Sequence, residues 1–384
     1  MADTKAENEP KKPSGLAGVV AGKSSVGFID GQVGTLRYFG YDIHDLAEHS
    51  CFEETVHLLW NGDLPSRTDL ADFTTSLAAQ RPVDPAILDF IAAAPPDVTP
   101  MGLLRTAVSA LGQYDPDAED MSAAANKRKA GRLTAQLATL VAAIHRGRLG
   151  LEAVAPDPAL GHAANFLYML SGERADATAT RALDVALVLH ADHGFNASTF
   201  SAKVTAATLS DMHSAVTSAV GTLKGPLHGG ANQRVRESLD EIGTVERVEE
   251  WVDAKLAAKQ KIMGFGHRVY KVEDPRARHL RDHARALQGN QDSGGADLVG
   301  ISQRLVEVVA ERKGLAVNVD FWSASLYSYL GVAPDLFPMI FALSRISGWT
   351  THVMEQYADN KLIRPRAEYI GPDARAYVPV ADRS

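Results

Sequence analysis

The stretch LTAQLATLVAAI, residues 133–144, decides the fold class. Leu133, Leu137, Leu140, Val141 and Ile144 recur at helical spacing and line one face. The period returns elsewhere. Phe52, Val56, Leu59 and Trp60 fall at i, i+4, i+7 and i+8, with Ser50 and Glu53 placed as a capping box. Pro334, read as the first residue of a helix, precedes a stripe of Leu336, Phe337, Ile340, Phe341 and Leu343. Only FIDGQVGTLRYFG, residues 28–40, reads as short strands around Asp-Gly and Gly turns. Turn residues cluster at 92–102 and 287–297, and no fixed-period repeat argues for a solenoid. The expected fold is mainly α, with a short N-terminal β-hairpin.

At 384 residues the chain exceeds the usual size of one hydrophobic core and predicts two packed domains, one of them free to be discontinuous. With 45% hydrophobic and 22% charged residues it is globular in composition. A net charge of -8 argues against nucleic acid or anionic lipid as partner, so an anionic ligand requires a local basic cluster. The single cysteine, Cys51, excludes an internal disulfide and a Cys-based zinc site and fits a reducing cytoplasm. It reads as packing, not as a nucleophile. Residues 1–15 are charged and lack an apolar region, so a flexible tail is expected and not a signal peptide. No run approaches the roughly 18 to 20 apolar residues of a membrane span.

Four constellations set polar groups beside turn residues: LHADHGFNAS (189–198), KGPLHGGANQ (224–233), KIMGFGHRVYKVEDPRAR (261–278) and NVDFWSAS (318–325). In the first, His190 continues the face of Leu183 and Leu187 as a core histidine, Asp192 points away, and His193 beside Gly194 is the better ligand contact. In the second, Pro226, Gly229 and Gly230 surround His228 with turn backbone that can approach a ligand closely. In the third, Gly264 and Gly266 are followed by Val269 where a dinucleotide fingerprint needs glycine. Lys255, Lys259, Lys261, Arg268 and Lys271 instead concentrate positive charge there. In the fourth, Asp320 lies within an apolar run, where desolvation raises a carboxyl pKa toward that of a general base.

With GPLHGGAN, GFGHRVY, DPRA and NVDF in this order and spacing, the chain resembles the citrate synthase family. The likeness extends from FIDGQVGTLRYFGYDI through HADHGFNASTF and SRISGW to RPRAEYIGP, and is strongest to the short bacterial members, which include 2-methylcitrate synthases. The resemblance implies His228, His267 and Asp320 as the catalytic three. Asp320 removes a methyl proton from acetyl-CoA, His228 bonds the thioester oxygen, and His267 protonates the ketone of oxaloacetate. It assigns the dicarboxylate to His193, Arg276, Arg345 and Arg364, the last chosen over Arg366 because it precedes the proline. Coenzyme A falls to Gln260, Lys261, Ile262, Met263 and Gly264, with Lys271 and Lys313 as phosphate partners. The thioester is a co-substrate; no permanent cofactor and no metal are implied. The family architecture further implies a large helical domain of residues 1–228 and 327–384, a small one of 229–326, and a cytoplasmic homodimer in which Arg364 reaches the site of the other subunit.

Three positions depart from the family pattern: Gln233 where an acidic residue is commoner, Val317 where proline is usual, and Trp322 where a smaller aromatic is usual. Val317 bears on how firmly Asp320 is held, Trp322 on the acyl pocket. Two readings from other classes stand beside this one. A metallohydrolase would use His190, His193, His228 and Asp320 as ligands. A non-catalytic helical scaffold explains the periodicity but not the four constellations.

Overall fold

The computed structural model describes residues 14–16, 18–95, 97–289 and 297–383. The expected tail therefore lies almost wholly outside the described residues, as does most of the 287–297 turn cluster. Strands β1 (Gly27–Asp30), β2 (Thr35–Tyr38) and β3 (Tyr41–Asp42) form one antiparallel sheet in that order, with Gly27 opposite Tyr38 and Arg37 opposite Asp42. The helices follow as α1 (Ile43–His49), α2 (Phe52–Asn61), α3 (Arg67–Ala79), α4 (Pro85–Ala92), α5 (Pro100–Tyr114), α6 (Ala123–Arg148), α7 (His162–Ser171), α8 (Ala177–His190), α9 (Ala197–Ala206) and α10 (Met212–Leu223). Then come α11 (Ala231–Ile242), α12 (Val248–Ala257), α13 (Ala277–Gly289), α14 (Leu298–Lys313), α15 (Val319–Tyr329) and α16 (Phe337–Ala358). Mainly α is therefore the observed class, with the hairpin where it was expected.

The stripe on α6 is buried from Leu133 to Ile144 and meets α5, α7 and α16. Helix α16 runs through this layer against α8, α9 and α10. Helices α11 to α15 pack chiefly on one another and join the first set where α13 and α15 meet α8 and where α11 meets α16. The expected domain limit at 228/229 falls between α10 and α11, while that at 326/327 falls within α15.

Most helix starts are capped from nearby in sequence: Asp42, Ser122, Asp176, Asn196 and Asp211 each accept an N–H from the following turn. The capping box at Ser50 and Glu53 is not formed. Cys51 occupies the cap position without a side-chain bond, and the Phe52 N–H donates to Asp184 Oδ1 at 2.9 Å. Glu53 instead accepts the His162 N–H at 2.6 Å, capping α7. Both donors are satisfied by partners more than a hundred residues away, which local spacing cannot encode. Pro334 likewise opens a 3-10 turn, Pro334–Leu336, and Pro338 stands in the first turn of α16 itself.

Candidate active site

Four segments converge. The first is the C-terminal end of α8, whose carbonyls are received by α16: Ser344 Oγ donates to Leu187 O, Arg345 Nε to His190 O at 2.6 Å and the Gly348 N–H to Ala191 O at 3.1 Å. This approach requires glycine, since a Cβ at 348 would lie 2.4 Å from Ala191 O. Asp192, fully buried, bonds His352 Nε2 at 3.0 Å and the Gly194 N–H at 2.9 Å. Burial opposes ionisation of both partners, but their mutual attraction outweighs it, lowering the Asp192 pKa and raising that of His352. The segment holding His193 is thereby anchored to the helix that carries Arg345. His190 is a core histidine as expected, its Nδ1 2.7 Å from Ala186 O.

The second segment is the turn between α10 and α11. The His228 N–H donates to Gly225 O, and the Gly229 N–H to Leu223 O at 3.0 Å. A Cβ on Gly229 would stand 2.3 Å from Leu223 O, so this glycine serves the turn itself rather than ligand approach. The Ser198 main-chain N–H donates to His228 Nε2 at 3.3 Å, and the Ser198 hydroxyl, which accepts from Trp349 Nε1, lies 2.7 Å from the same nitrogen. A main-chain N–H can only donate, so Nε2 is inferred to carry the lone pair and Nδ1 the proton. Burial, helped by Arg345, lowers the His228 pKa to about 4, so the ring is neutral at pH 7.

The third segment carries His267. It is joined to the fourth by an antiparallel bridge, Phe265 opposite Val317, with the Gly266 N–H on Ala316 O (2.8 Å), the Asn318 N–H on Gly264 O (2.9 Å) and Asn318 Nδ2 on Gly266 O (3.0 Å). Neither ladder bond comes from the Val317 N–H, which explains how a proline could occupy that position. On its other side the segment touches the β1–β2 turn, where the Lys271 N–H donates to Gly31 O at 2.7 Å. The N–H groups of Val269 and Tyr270 both donate to His267 Nδ1, at 3.0 and 3.1 Å, which leaves the ring proton on Nε2. Burial and then Arg276 lower the His267 pKa. The His193 and His267 rings lie 5.5 Å apart.

In the fourth segment Asn318 caps α15 by accepting the Asp320 N–H, which sets Asp320 in the first turn. Its carboxyl pKa is raised to about 6 by burial, reinforced by Asp274 and opposed by Arg276 and Arg345. Trp322 is buried edge-on to Phe321. Arg276, 2% exposed, forms a bidentate pair with Asp274 through Nε (2.9 Å) and Nη2 (2.7 Å). Arg345, 1% exposed, stacks on Phe341 at 4.5 Å and forms no ion pair with a carboxylate among the described residues. Burial brings its pKa down to about 10 against the attraction of Asp192. A buried guanidinium without a paired carboxylate favours an anion.

Thus His193, His228, His267, Arg276, Asp320 and Arg345 share one electrostatic environment. Arg364 does not join them: it is exposed on the extended segment after α16. Gln260, Lys261, Ile262, Met263 and Gly264 form the approach to the His267 loop, and Lys271 and Lys313 are exposed, Lys313 at the end of α14. Sequence reasoning missed Ser198, Tyr270 and Asp274, although all three stand inside or beside the motifs. Among the described residues no three His, Cys, Asp or Glu side chains converge as a metal-binding group, and no helix is long and apolar enough to cross a membrane.

The family model for the citrate synthase C-terminal domain matches residues 15–366. Citrate synthase 2 of Bacillus subtilis is 50% identical over 96% of this chain and 99% of its own, and 2-methylcitrate synthase of Mycobacterium tuberculosis is 43% identical over 96% and 93%. Among solved structures, the ternary complex of carboxymethyl coenzyme A and oxaloacetate with citrate synthase from Thermoplasma acidophilum superposes with a TM-score of 0.90 at 32% identity, covering 96% of this chain and 98% of that one. The chain belongs to the citrate synthase family.

Proposed function

We propose that the protein condenses acetyl-CoA with oxaloacetate and water to give citrate and CoA. The observation that carries this reading is one carboxyl with a raised pKa, Asp320, set with two neutral imidazoles whose protein-facing nitrogens are occupied, so that His228 Nδ1–H and His267 Nε2–H are left as donors. Asp320 takes a methyl proton from the thioester while His228 donates to its oxygen as enolate charge develops. A carboxylate is too weak a base to act unaided, and the paired donor closes the gap. The enol carbon attacks the ketone of oxaloacetate, whose oxygen receives the His267 proton. Water then cleaves the citryl thioester and releases CoA. His193, Arg276 and Arg345 hold the dicarboxylate; Gln260, Lys261, Ile262, Met263 and Gly264 line the coenzyme, with Lys271 and Lys313 at its phosphates. No metal takes part. Residues 229–326 close as a small domain over the rest, in a cytoplasmic enzyme.

The relative named 2-methylcitrate synthase favours a second reading, in which propionyl-CoA is the acyl donor. One methyl group is worth only about 1 to 3 kcal/mol in a pocket, so a neighbour such as Trp322 can set the choice. CoA release measured with each thioester and oxaloacetate tests both readings. Both thioesters are expected to react, with acetyl-CoA preferred. A propionyl preference of about tenfold in kcat/KM replaces the first reading by the second, and release from neither overturns both.

The site is completed in a homodimer by Arg364 of the partner subunit. Support comes from the segment after α16, which leaves Leu362, Tyr369, Ile370 and Tyr377 exposed and packs on little of its own chain. Arg364→Ala and Asp320→Asn enzymes, each nearly inactive, are expected to regain activity when mixed and allowed to exchange subunits, because one site in each heterodimer is intact. Heterodimers without recovered activity exclude the shared site.

A further inference from the structure

Tyr270 is 2% exposed and sits between two histidines, its ring 5.5 Å from His193 and 4.8 Å from His267. Its hydroxyl lies 3.1 Å from His193 Nε2, while its main-chain N–H donates to His267 Nδ1. Burial raises the phenol pKa far above neutrality, so the hydroxyl keeps its proton. Burial and the charges of Arg276 and Arg345 hold His193 well below its ordinary range, so its ring is neutral and offers one N–H and one lone pair. A lone pair turned toward a bound carboxylate would repel it. An N–H would bind it.

We propose that Tyr270 is a positioning residue that sets the tautomer of His193, its O–H donating to Nε2 so that Nδ1–H faces a 2-oxo dicarboxylate. The inference deepens the reading of His193 as a contact of oxaloacetate and rests on it. One residue would then act on the protons of two site histidines, that of His267 through its main chain, together with the Val269 N–H, and that of His193 through its side chain.

Tyr270→Phe keeps the ring packing and the main-chain donor and removes only the hydroxyl. Oxaloacetate affinity measured by calorimetry is expected to fall about tenfold, the scale of one lost hydrogen bond. Imidazole ¹⁵N spectra are expected to show His193 protonated at Nδ1 in the wild type and averaged between tautomers in the variant, with the His267 signals unmoved. A purely structural role would disturb both rings. A wild-type spectrum with His193 protonated at Nε2 overturns the proposal, as does normal oxaloacetate binding by Tyr270→Phe when His193→Ala has lost it. If His193→Ala also binds normally, the substrate contact itself is wrong, and the spectrum still decides the tautomer.

Discussion

Asp320→Asn is expected to lower the rate of condensation by about 10² or more while oxaloacetate binding survives, because the amide keeps the shape of the carboxyl but cannot take a proton. The pH profile of the wild type should share this origin. Asp320 acts only when ionised, so kcat/KM is expected to fall as pH drops through about 6. The same substitution has a second, opposite readout. A carboxyl whose pKa rises from 3.8 unfolded to about 6 folded destabilises the native state above that window, by up to about 3 kcal/mol, and not at all below pH 3.8. Asp320→Asn should therefore be the more stable protein in urea at pH 8, with the gain vanishing toward pH 4. Wild-type turnover removes Asp320 from the chemistry, and equal stability at pH 8 removes the desolvated carboxylate.

His228→Ala is expected to cost about 3 kcal/mol of transition-state stabilisation, the scale of one lost oxyanion donor. The loss should fall on enolisation. It is read most directly as exchange of the acetyl-CoA methyl hydrogens with deuterium oxide, a step that precedes carbon–carbon bond formation. The Ser198 N–H loses its acceptor in this variant, so a modest drop in thermal midpoint should accompany the change. Unchanged exchange would count against the role. Because the ring pKa is about 4, the donor stays neutral throughout the working range, and the pH limb near 6 belongs to Asp320 rather than to His228.

The parts of this protein legible in its sequence are those whose physics is local. Leu133 to Ile144 announce a buried helix because the apolar period and the helical period coincide within a single element. Asp-Gly and Gly turns mark the hairpin in the same way. The motifs name candidate site residues, of which Arg364 stands apart from the others, but they do not say which nitrogen of each histidine holds its proton. That depends on main-chain donors at Ser198, Val269 and Tyr270, and every residue except proline has one. Glu53 defeated a local reading because its bonding partner is 109 residues away. The Asp274 pair with Arg276 lies within two residues in sequence and was open to a local reading, whereas the unpaired burial of Arg345 was not.

The seating of α8 on α16 bears on how the protein comes into being during synthesis. The carbonyls of Leu187, His190 and Ala191 are closed by residues 344 to 348, about 155 positions later. A nascent chain that has already made His193, His228, His267 and Asp320 still lacks the partner that seats the first of them and the guanidinium of Arg345. Loops of that span are closed slowly. Until translation has passed α16 and the ribosome has released it, the emerging polypeptide holds the candidate side chains at 193, 228, 267 and 320 but lacks the helix that receives the end of α8 and places Arg345 beside them.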